Sequence, residues 1–226
     1  MKSLKLIAFA AALGTMGGAA LAQEYRGFNP GWRPNVGLSF AGRQLHTDFH
    51  GFGEVSGGAY GVCVDTDFWD TAIRYAGEFA GFRIAANVQA CEGFGSARKD
   101  IGAFEGSVRR EESFIATVRA GPMIPSGGFV FNPYIEGGAA YTRFKVEAIP
   151  FEHFNGYRPG VSFGAGVSVF IVPPPALTGT IPAIDKQAME VYIAYRHYEY
   201  SEATLNGGAR VDLSVDEIMA GARVRF

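Results

Sequence analysis

Apolar and polar residues alternate along much of this chain of 226 residues, most clearly in its last segment, 213–226. From residue 218 to the last residue, one register is apolar: Ile218, Ala220, Ala222, Val224 and Phe226. The other register contains three charged residues: Glu217, Arg223 and Arg225. Because successive side chains of a strand point to opposite faces, the segment is predicted to be a strand with one apolar and one charged face. An apolar edge strand would aggregate in water, whereas in a membrane barrel it closes the ring and faces lipid.

The same alternation predicts seven further strands. They lie at 35–45, 57–66, 71–91, 113–123, 131–146, 160–169 and 190–196. Short turns are predicted at 65–70 and 124–129, longer polar loops at 46–56, 91–101, 147–156 and 201–208, and a proline-rich connection at 172–186. This arrangement indicates an all-β protein, an antiparallel transmembrane β-barrel of eight strands, with short turns on one side and long loops on the other.

The strand count depends on a change of register near Ala80 and Gly81. A bulge there keeps one strand and gives eight in total, whereas a tight hairpin adds two strands and gives ten. Cys63 and Cys91 bear on this choice, because an exported chain with two cysteines can form one disulfide. If 71–91 is one strand, the two residues lie too far apart to bond, so a disulfide is expected only in the ten-stranded alternative.

The beginning of the chain resembles a secretory signal peptide. Residues 1–22 have a basic start, an apolar run and the cleavage pattern Ala20-Leu21-Ala22. Glycine and proline residues in 23–34 predict an irregular periplasmic leader, and 35–226 is assigned to the barrel. A composition of 48% hydrophobic and 14% aromatic residues with 31 glycines suits an all-β chain, and the net charge of −2 gives no sign of a nucleic-acid partner.

Charged residues fall on the predicted inward faces of several strands. This predicted lumen set is Arg74, Glu78, Arg119, Glu136, Glu190, Arg196, Glu217, Arg223 and Arg225. An eight-stranded barrel is just wide enough for side chains to fill it, and buried charges must be paired. We therefore predict a lumen filled by an ion-pair network, and keep a narrow pore for small solutes as the alternative.

Three short patterns resemble catalytic or metal-binding motifs. The G-x-S-x-G pattern at 160–164 lies within a predicted strand, whereas a nucleophile elbow needs a strand–turn–helix context. His46, Asp48 and His50 fall in a polar loop and are interpreted as solvated. A third set is that of His197, Ser201 and Glu202, in which His197 and Ser201 would lie roughly 13 Å apart on an extended strand. We therefore predict no catalytic residue, no metal and no cofactor.

Three segments resemble those of the OmpA-like outer-membrane β-barrel family, which includes porin-type surface antigens of alphaproteobacteria. They are 132–141 (NPYIEGGAAY), 191–196 (VYIAYR) and 221–226 (GARVRF). The resemblance implies an outer-membrane location, contact with lipid and lipopolysaccharide, and a last strand read by the barrel-insertion machinery through Ile218, Ala220, Ala222, Val224 and Phe226. It also implies a structural or surface-interaction role, with an extracellular partner binding the loops. A lipid-A-modifying enzyme is the further alternative.

Overall fold

The computed structural model describes residues 28–29, 35–50, 53–74, 81–101, 104–126, 129–149, 152–171 and 189–225. Within these ranges the long strands are β1 (Asn35–Phe49), β2 (Gly53–Arg74), β3 (Gly81–Phe94), β4 (Phe104–Ser126), β5 (Phe129–Ile149), β6 (Glu152–Ile171), β7 (Met189–Tyr200) and β8 (Arg210–Arg225). The short strands Phe28–Asn29, Ala97–Ile101 and Ala203–Thr204 pair with β2, β4 and β8, respectively. No helix in the described ranges is long and apolar enough to cross a membrane.

The long strands form one closed antiparallel barrel. Each strand pairs with the next along the chain, and β8 pairs with β1 from Val211↔Phe49 to Arg225↔Asn35. The predicted eight-stranded all-β barrel is therefore confirmed. We call the end with the β1–β2, β3–β4, β5–β6 and β7–β8 connections the loop end, and the opposite end the turn end.

The strands form where the two-residue alternation is regular, and β1 shows its polarity best. Near the turn end Val36, Leu38 and Phe40 point outward and are exposed, while the residues between them are buried inside the barrel. Beyond Arg43 the polarity reverses, because Leu45 and other apolar side chains now point inward and polar ones outward. The same reversal occurs on β2 and β8. The apolar side chains exposed on the outer wall therefore form a belt that covers only part of the barrel's height.

The turn predicted at 65–70 was wrong. β2 runs without a break from Gly53 to Arg74, and its pairing with β3 shifts by one residue between Asp67 and Trp69. This bulge leaves Phe68 and Trp69 both exposed on the outer wall. The chain then reverses between Arg74 and Gly81, where a bulge within one long strand had been predicted. Two predicted strands thus merge and one divides, which preserves the total of eight.

This new boundary brings the two cysteines together. Cys63 on β2 and Cys91 on β3 are direct cross-strand partners, with a Cα–Cα distance of 4.0 Å, and they form a disulfide. The inference that a disulfide requires ten strands was wrong, because the chain reversal places the two residues on neighbouring strands of an eight-stranded barrel.

Strands occupy much of the chain that was predicted as loops. β1 ends at Phe49 and β2 begins at Gly53, within the loop predicted at 46–56, and β5 and β6 similarly replace most of 147–156. Ala97–Ile101 and Ala203–Thr204 add paired residues to the other two predicted loops. In the predicted irregular leader 23–34 only Phe28–Asn29 are described, and they pair with β2. The proline-rich connection 172–186 lies outside the described residues.

Apolar side chains fill the interior at both ends. At the loop end they form the loop-end core, which includes Leu45, Phe49, Val55, Val108, Phe144, Val146, Tyr198, Leu213 and the disulfide. At the turn end Met123, Val130 and Phe170 form a smaller cluster. A layer of buried charged residues lies between the two.

Candidate functional site

The charged layer in the lumen is balanced in number. Among the side chains that the structure describes, six arginines and six carboxylates are buried. They are Arg43, Arg83, Arg110, Arg119, Arg196, Arg223, Asp65, Asp67, Asp70, Glu136, Glu190 and Glu217. Because a buried charge is costly unless it is paired and hydrogen-bonded, the partner of each side chain decides whether this layer is stable.

Arg83 is a centre of the network on the turn-end side. Its guanidinium donates to both carboxylate oxygens of Asp70 at 2.9 Å, to Glu190 at 3.1 Å and to Asp67 at 3.2 Å. The paired contact with Asp70 is bidentate, which is the geometry that gives arginine–carboxylate pairs their strength. Arg83 also lies over the Phe170 ring, 4.8 Å from its centroid, and so joins the charged layer to the apolar cluster below it.

Two further arginines complete this turn-end cluster. Arg223 donates to Asp65 through Nε at 2.7 Å and to Glu190 at 3.0 Å. Arg119 donates to the two oxygens of Asp67 at 2.5 and 2.6 Å. The bulge in β2 thus has a clear consequence, because residues on either side of it supply carboxylates to the lumen.

Glu217 is the centre of the network on the loop-end side. It accepts hydrogen bonds from Arg43 Nε at 2.6 Å, Arg110 Nη1 at 3.2 Å and the Tyr198 hydroxyl at 2.9 Å. Arg110 also lies over the Tyr198 ring at 4.7 Å. One carboxylate therefore neutralises parts of two guanidinium groups directly below the loop-end core.

A third cluster lies on the lumen wall formed by β3, β5 and β7. Arg196 donates to Glu136 through Nε at 2.5 Å and through Nη2 at 3.0 Å, and to the Gln89 side-chain oxygen at 2.5 Å. With this pair, every buried arginine of the described lumen has at least one carboxylate partner.

Most of the predicted lumen set lies inside the barrel. Six of its members lie buried inside the barrel in ion pairs: Arg119, Glu136, Glu190, Arg196, Glu217 and Arg223. Arg74 and Arg225 lie in β2 and β8, but their side chains, like the whole of Glu78, are outside the described residues.

Sequence reasoning missed the other half of the network. Arg43 and Asp65 lie in the non-apolar register of the strands predicted at 35–45 and 57–66, so the alternation contained their signal. Asp67 and Asp70 were missed because they fall within the wrongly predicted turn. Arg110 was missed because it precedes the predicted start of its strand.

The outward residues of the last strand lie as the alternation predicts. Ile218, Ala220, Ala222 and Val224 are all exposed on the outer wall of β8, and Phe226 is outside the described residues. Their face is continuous with the apolar belt of β1 through the β8–β1 pairing. Their role as an assembly signal stays a prediction.

Histidines and carboxylates cover the outer wall above the belt on β1, β2, β7 and β8 and in the adjoining connections. We call this surface the histidine wall; it consists of His46, Asp48, His50, Glu54, His197, Glu199, Glu202, Asp212 and Asp216. His46 contacts Glu54 at 3.1 Å and Asp216 at 3.3 Å, and His197 Nδ1 lies 2.8 Å from Asp216. Much of this wall lines an open groove of ≈ 620 Å³.

The rim of the histidine wall carries one further close pair. His50 Nε2 lies 2.8 Å from Asp212 Oδ2, and this hydrogen bond raises the pKa of His50 above its ordinary value. A carboxylate oxygen of Glu202 lies near both residues, so that one ligand atom from each falls within 4.8 Å of the others. The predicted solvated state of His50 is thus accompanied by a grouping of potential metal ligands.

Two of the motif-like sets, residues 160–164 and the set of His197, Ser201 and Glu202, have surroundings that differ from those of a catalytic site. Residues 160–164 lie within β6, without a turn or helix. His197 is bound to Asp216, and Glu202 pairs with Arg210 at 3.4 Å. In the described contacts, His197 and Glu202 therefore pair with other residues and not with each other.

Comparison with solved structures finds distant likenesses to this chain. No family model and no curated protein sequence matches the chain. Neisserial surface protein A (NspA) is 12% identical, with a TM-score of 0.39 over 84% of this chain and 97% of that one. Ail, the attachment invasion locus protein of Yersinia pestis, is 14% identical, with a TM-score of 0.37 over 85% and 98%. The outer membrane protease OmpT of Escherichia coli is 9% identical, with a TM-score of 0.39 over 92% and 99%.

These values indicate remote resemblance of shape, and the barrel fold of this chain rests on its own strand pairing.

Proposed function

We propose that this chain is an outer-membrane β-barrel protein with a structural or surface-interaction role and a lumen filled by paired side chains. The observation that carries the proposal is the apolar belt on the outer wall. Its exposed members include Leu38, Phe40, Tyr60, Val118, Ile135, Val161, Phe163, Ile193 and Ile218. A soluble protein rarely exposes a contiguous apolar surface of this extent, whereas a barrel in a bilayer requires one.

The interior supports the same proposal. Polar and charged groups point inward at the height of the belt, and every long strand pairs with a neighbour on both sides, so that the sheet closes into a ring. In hydrocarbon every backbone polar group must be satisfied within the protein, and a closed barrel meets this requirement. The signal-peptide pattern in 1–22 agrees with export to the outer membrane.

Ile135→Arg tests whether the belt faces lipid. Ile135 is 71% exposed and lies near the middle of the belt on β5, so a charge there should cost about 2–4 kcal/mol of unfolding free energy in lipid vesicles. The measurement is reversible urea unfolding of the refolded protein in vesicles.

Thr204→Arg is the matched control, because Thr204 is exposed at the loop end above the belt. It should change the unfolding free energy by less than about 0.5 kcal/mol. Equal effects of the two variants would contradict a membrane position for the belt.

The lumen is proposed to be closed to solutes. The loop-end core, the ion-pair layer and the cluster of Met123, Val130 and Phe170 occupy successive levels of its interior. We expect no steady channels when the protein is inserted into planar bilayers. Steady openings would instead support the narrow porin, and a control recording with a known porin would verify that the assay detects channels.

The loop end is proposed to carry the surface interactions, because the strands continue there beyond the belt. Outward basic residues of β4 and β5, namely Arg109, Arg143 and Lys145, lie just above it and suit the phosphate groups of lipopolysaccharide. Extracellular partners are proposed to bind the connections within 46–56, 91–101, 147–156 and 201–208, and the insertion machinery to bind the outer face of β8. We propose no enzymatic activity; a lipid-A mass spectrum altered by the protein would favour the enzyme alternative.

A further inference from the structure

We propose that His50, Glu202 and Asp212 form a binding site for a divalent transition-metal ion at the loop-end rim of the histidine wall. The ion would connect three parts of the chain: the turn after β1, the connection between β7 and β8, and β8 itself. The proposal concerns a site on the rim and does not depend on the membrane position of the belt.

Backbone pairing holds the three residues near one another. The His50 N–H donates to the Arg210 carbonyl at 3.1 Å, which places His50 beside the first residues of β8. Ala203 pairs with Val211, so that Glu202 precedes a paired residue opposite the same strand segment. The proximity of the three side chains therefore follows from the fold.

The distances suit a metal ion after a small adjustment. Ligand atoms of the three residues lie within 4.8 Å of one another, and all three residues are exposed. Zinc bonds to histidine nitrogen and carboxylate oxygen of about 2.0–2.2 Å place tetrahedral ligands roughly 3.4 Å apart. Side-chain rotations that bring the more distant ligand atoms closer by up to about 1.4 Å, and that separate His50 from Asp212 slightly beyond their present 2.8 Å, would hold the ion. A water molecule would complete its coordination.

The surrounding charges favour a cation. Glu54, Asp48 and Asp212 are direct neighbours across β2, β1 and β8, and all three point outward. Like charges placed directly opposite destabilise a sheet, and a bound cation would offset this repulsion. Glu202 forms an exposed ion pair with Arg210 at 3.4 Å, which is weak enough to be displaced.

The ligand types indicate which cation is bound. Imidazole nitrogen favours Zn²⁺, Ni²⁺ and Cu²⁺, whereas Mg²⁺ and Ca²⁺ prefer oxygen ligands alone. His50 therefore distinguishes the two classes. We expect Zn²⁺ to bind more tightly than Ca²⁺ or Mg²⁺.

Calorimetric titration of the refolded, tag-free protein in detergent micelles with ZnCl₂ tests the site. We expect one saturable Zn²⁺ per chain, and an affinity lowered about ten-fold or more in His50→Ala and in Asp212→Asn. Heat-modifiable migration on gels would verify that each variant forms the barrel. Titrations with CaCl₂ and MgCl₂ should give much weaker binding.

His197→Ala is the matched control, because His197 belongs to the same wall but pairs with Asp216. It should keep the affinity of the unaltered protein. The proposal is overturned if Zn²⁺ gives no saturable heat, if Ca²⁺ binds as tightly as Zn²⁺, or if His197→Ala loses as much affinity as His50→Ala.

Limited proteolysis provides a second test, because it reports how well the connection between β7 and β8 is ordered. Bound Zn²⁺ should slow proteolytic cleavage within 201–209 in the unaltered protein and leave the rate unchanged in Asp212→Asn. Equal protection of both proteins would show that the ion binds elsewhere.

Discussion

Glu217→Gln is expected to destabilise the barrel by about 3–5 kcal/mol, because it removes one partner from a buried ion-pair cluster. Glu217 is 0% exposed and contacts both Arg43 and Arg110. The amide keeps the size of the side chain but removes its charge, so two guanidinium groups remain buried without their shared carboxylate. Urea unfolding in detergent micelles, followed by tryptophan fluorescence, gives the change in free energy.

Glu199→Gln provides the comparison for the same chemical change on the outside of the barrel. The Glu199 side chain is 66% exposed, and its contact with His197 is 3.7 Å long. Its loss should alter the unfolding free energy by less than about 0.5 kcal/mol. If Glu217→Gln also cost less than about 1 kcal/mol, the lumen would be hydrated, and the narrow-porin alternative would gain support.

Replacing both cysteines, Cys63→Ala with Cys91→Ala, is expected to lower the unfolding free energy by about 2–4 kcal/mol. The disulfide joins residues 28 positions apart and restricts the unfolded chain accordingly. Both residues are buried in the loop-end core, so alanine avoids the added cost of burying a hydroxyl group. The double variant and the oxidised protein are compared in the same urea series.

Reduction of the unfolded protein gives an independent control for this prediction. The unaltered chain, refolded in dithiothreitol, should have the same urea midpoint as the double variant, to within the small effect of the lost sulfur atoms. A double variant as stable as the oxidised protein would contradict the prediction. It would show that the disulfide adds no stability beyond the pairing of β2 with β3.

The alternation of residues predicted the architecture because, along each part of a strand, apolar residues occupy one face and polar residues the other. The apolar face suits lipid or the packed interior, and the polar face suits water or the ion-pair layer. It identified the outer face of β8 and the inward position of Glu217 without knowledge of their partners. It could not supply those partners: Arg223 and Asp65 are 158 positions apart and meet only because the ring closes.

The errors at 65–70 and at the predicted loops have distinct physical causes. Asp65, Asp67 and Asp70 have the composition of a turn, yet the arginines of other strands make them stable inside the barrel. In the predicted loop at 46–56 the two-residue period continues, but the polar face is now the outer one. A search for apolar outward faces alone therefore ends each strand at the upper limit of the belt.

The reversal of polarity along the strands has a consequence for how the barrel would sit in a bilayer. On β8 the outward residue Asp216 is followed two positions later by the outward Ile218, and on β1 a polar stretch similarly follows Phe40. Moving the protein deeper by one such step would draw a carboxylate into hydrocarbon, and raising it would expose an aliphatic side chain to water. If the barrel lies in a bilayer as proposed, this boundary would fix how deeply it is immersed, and membranes of different thickness would have to deform around it.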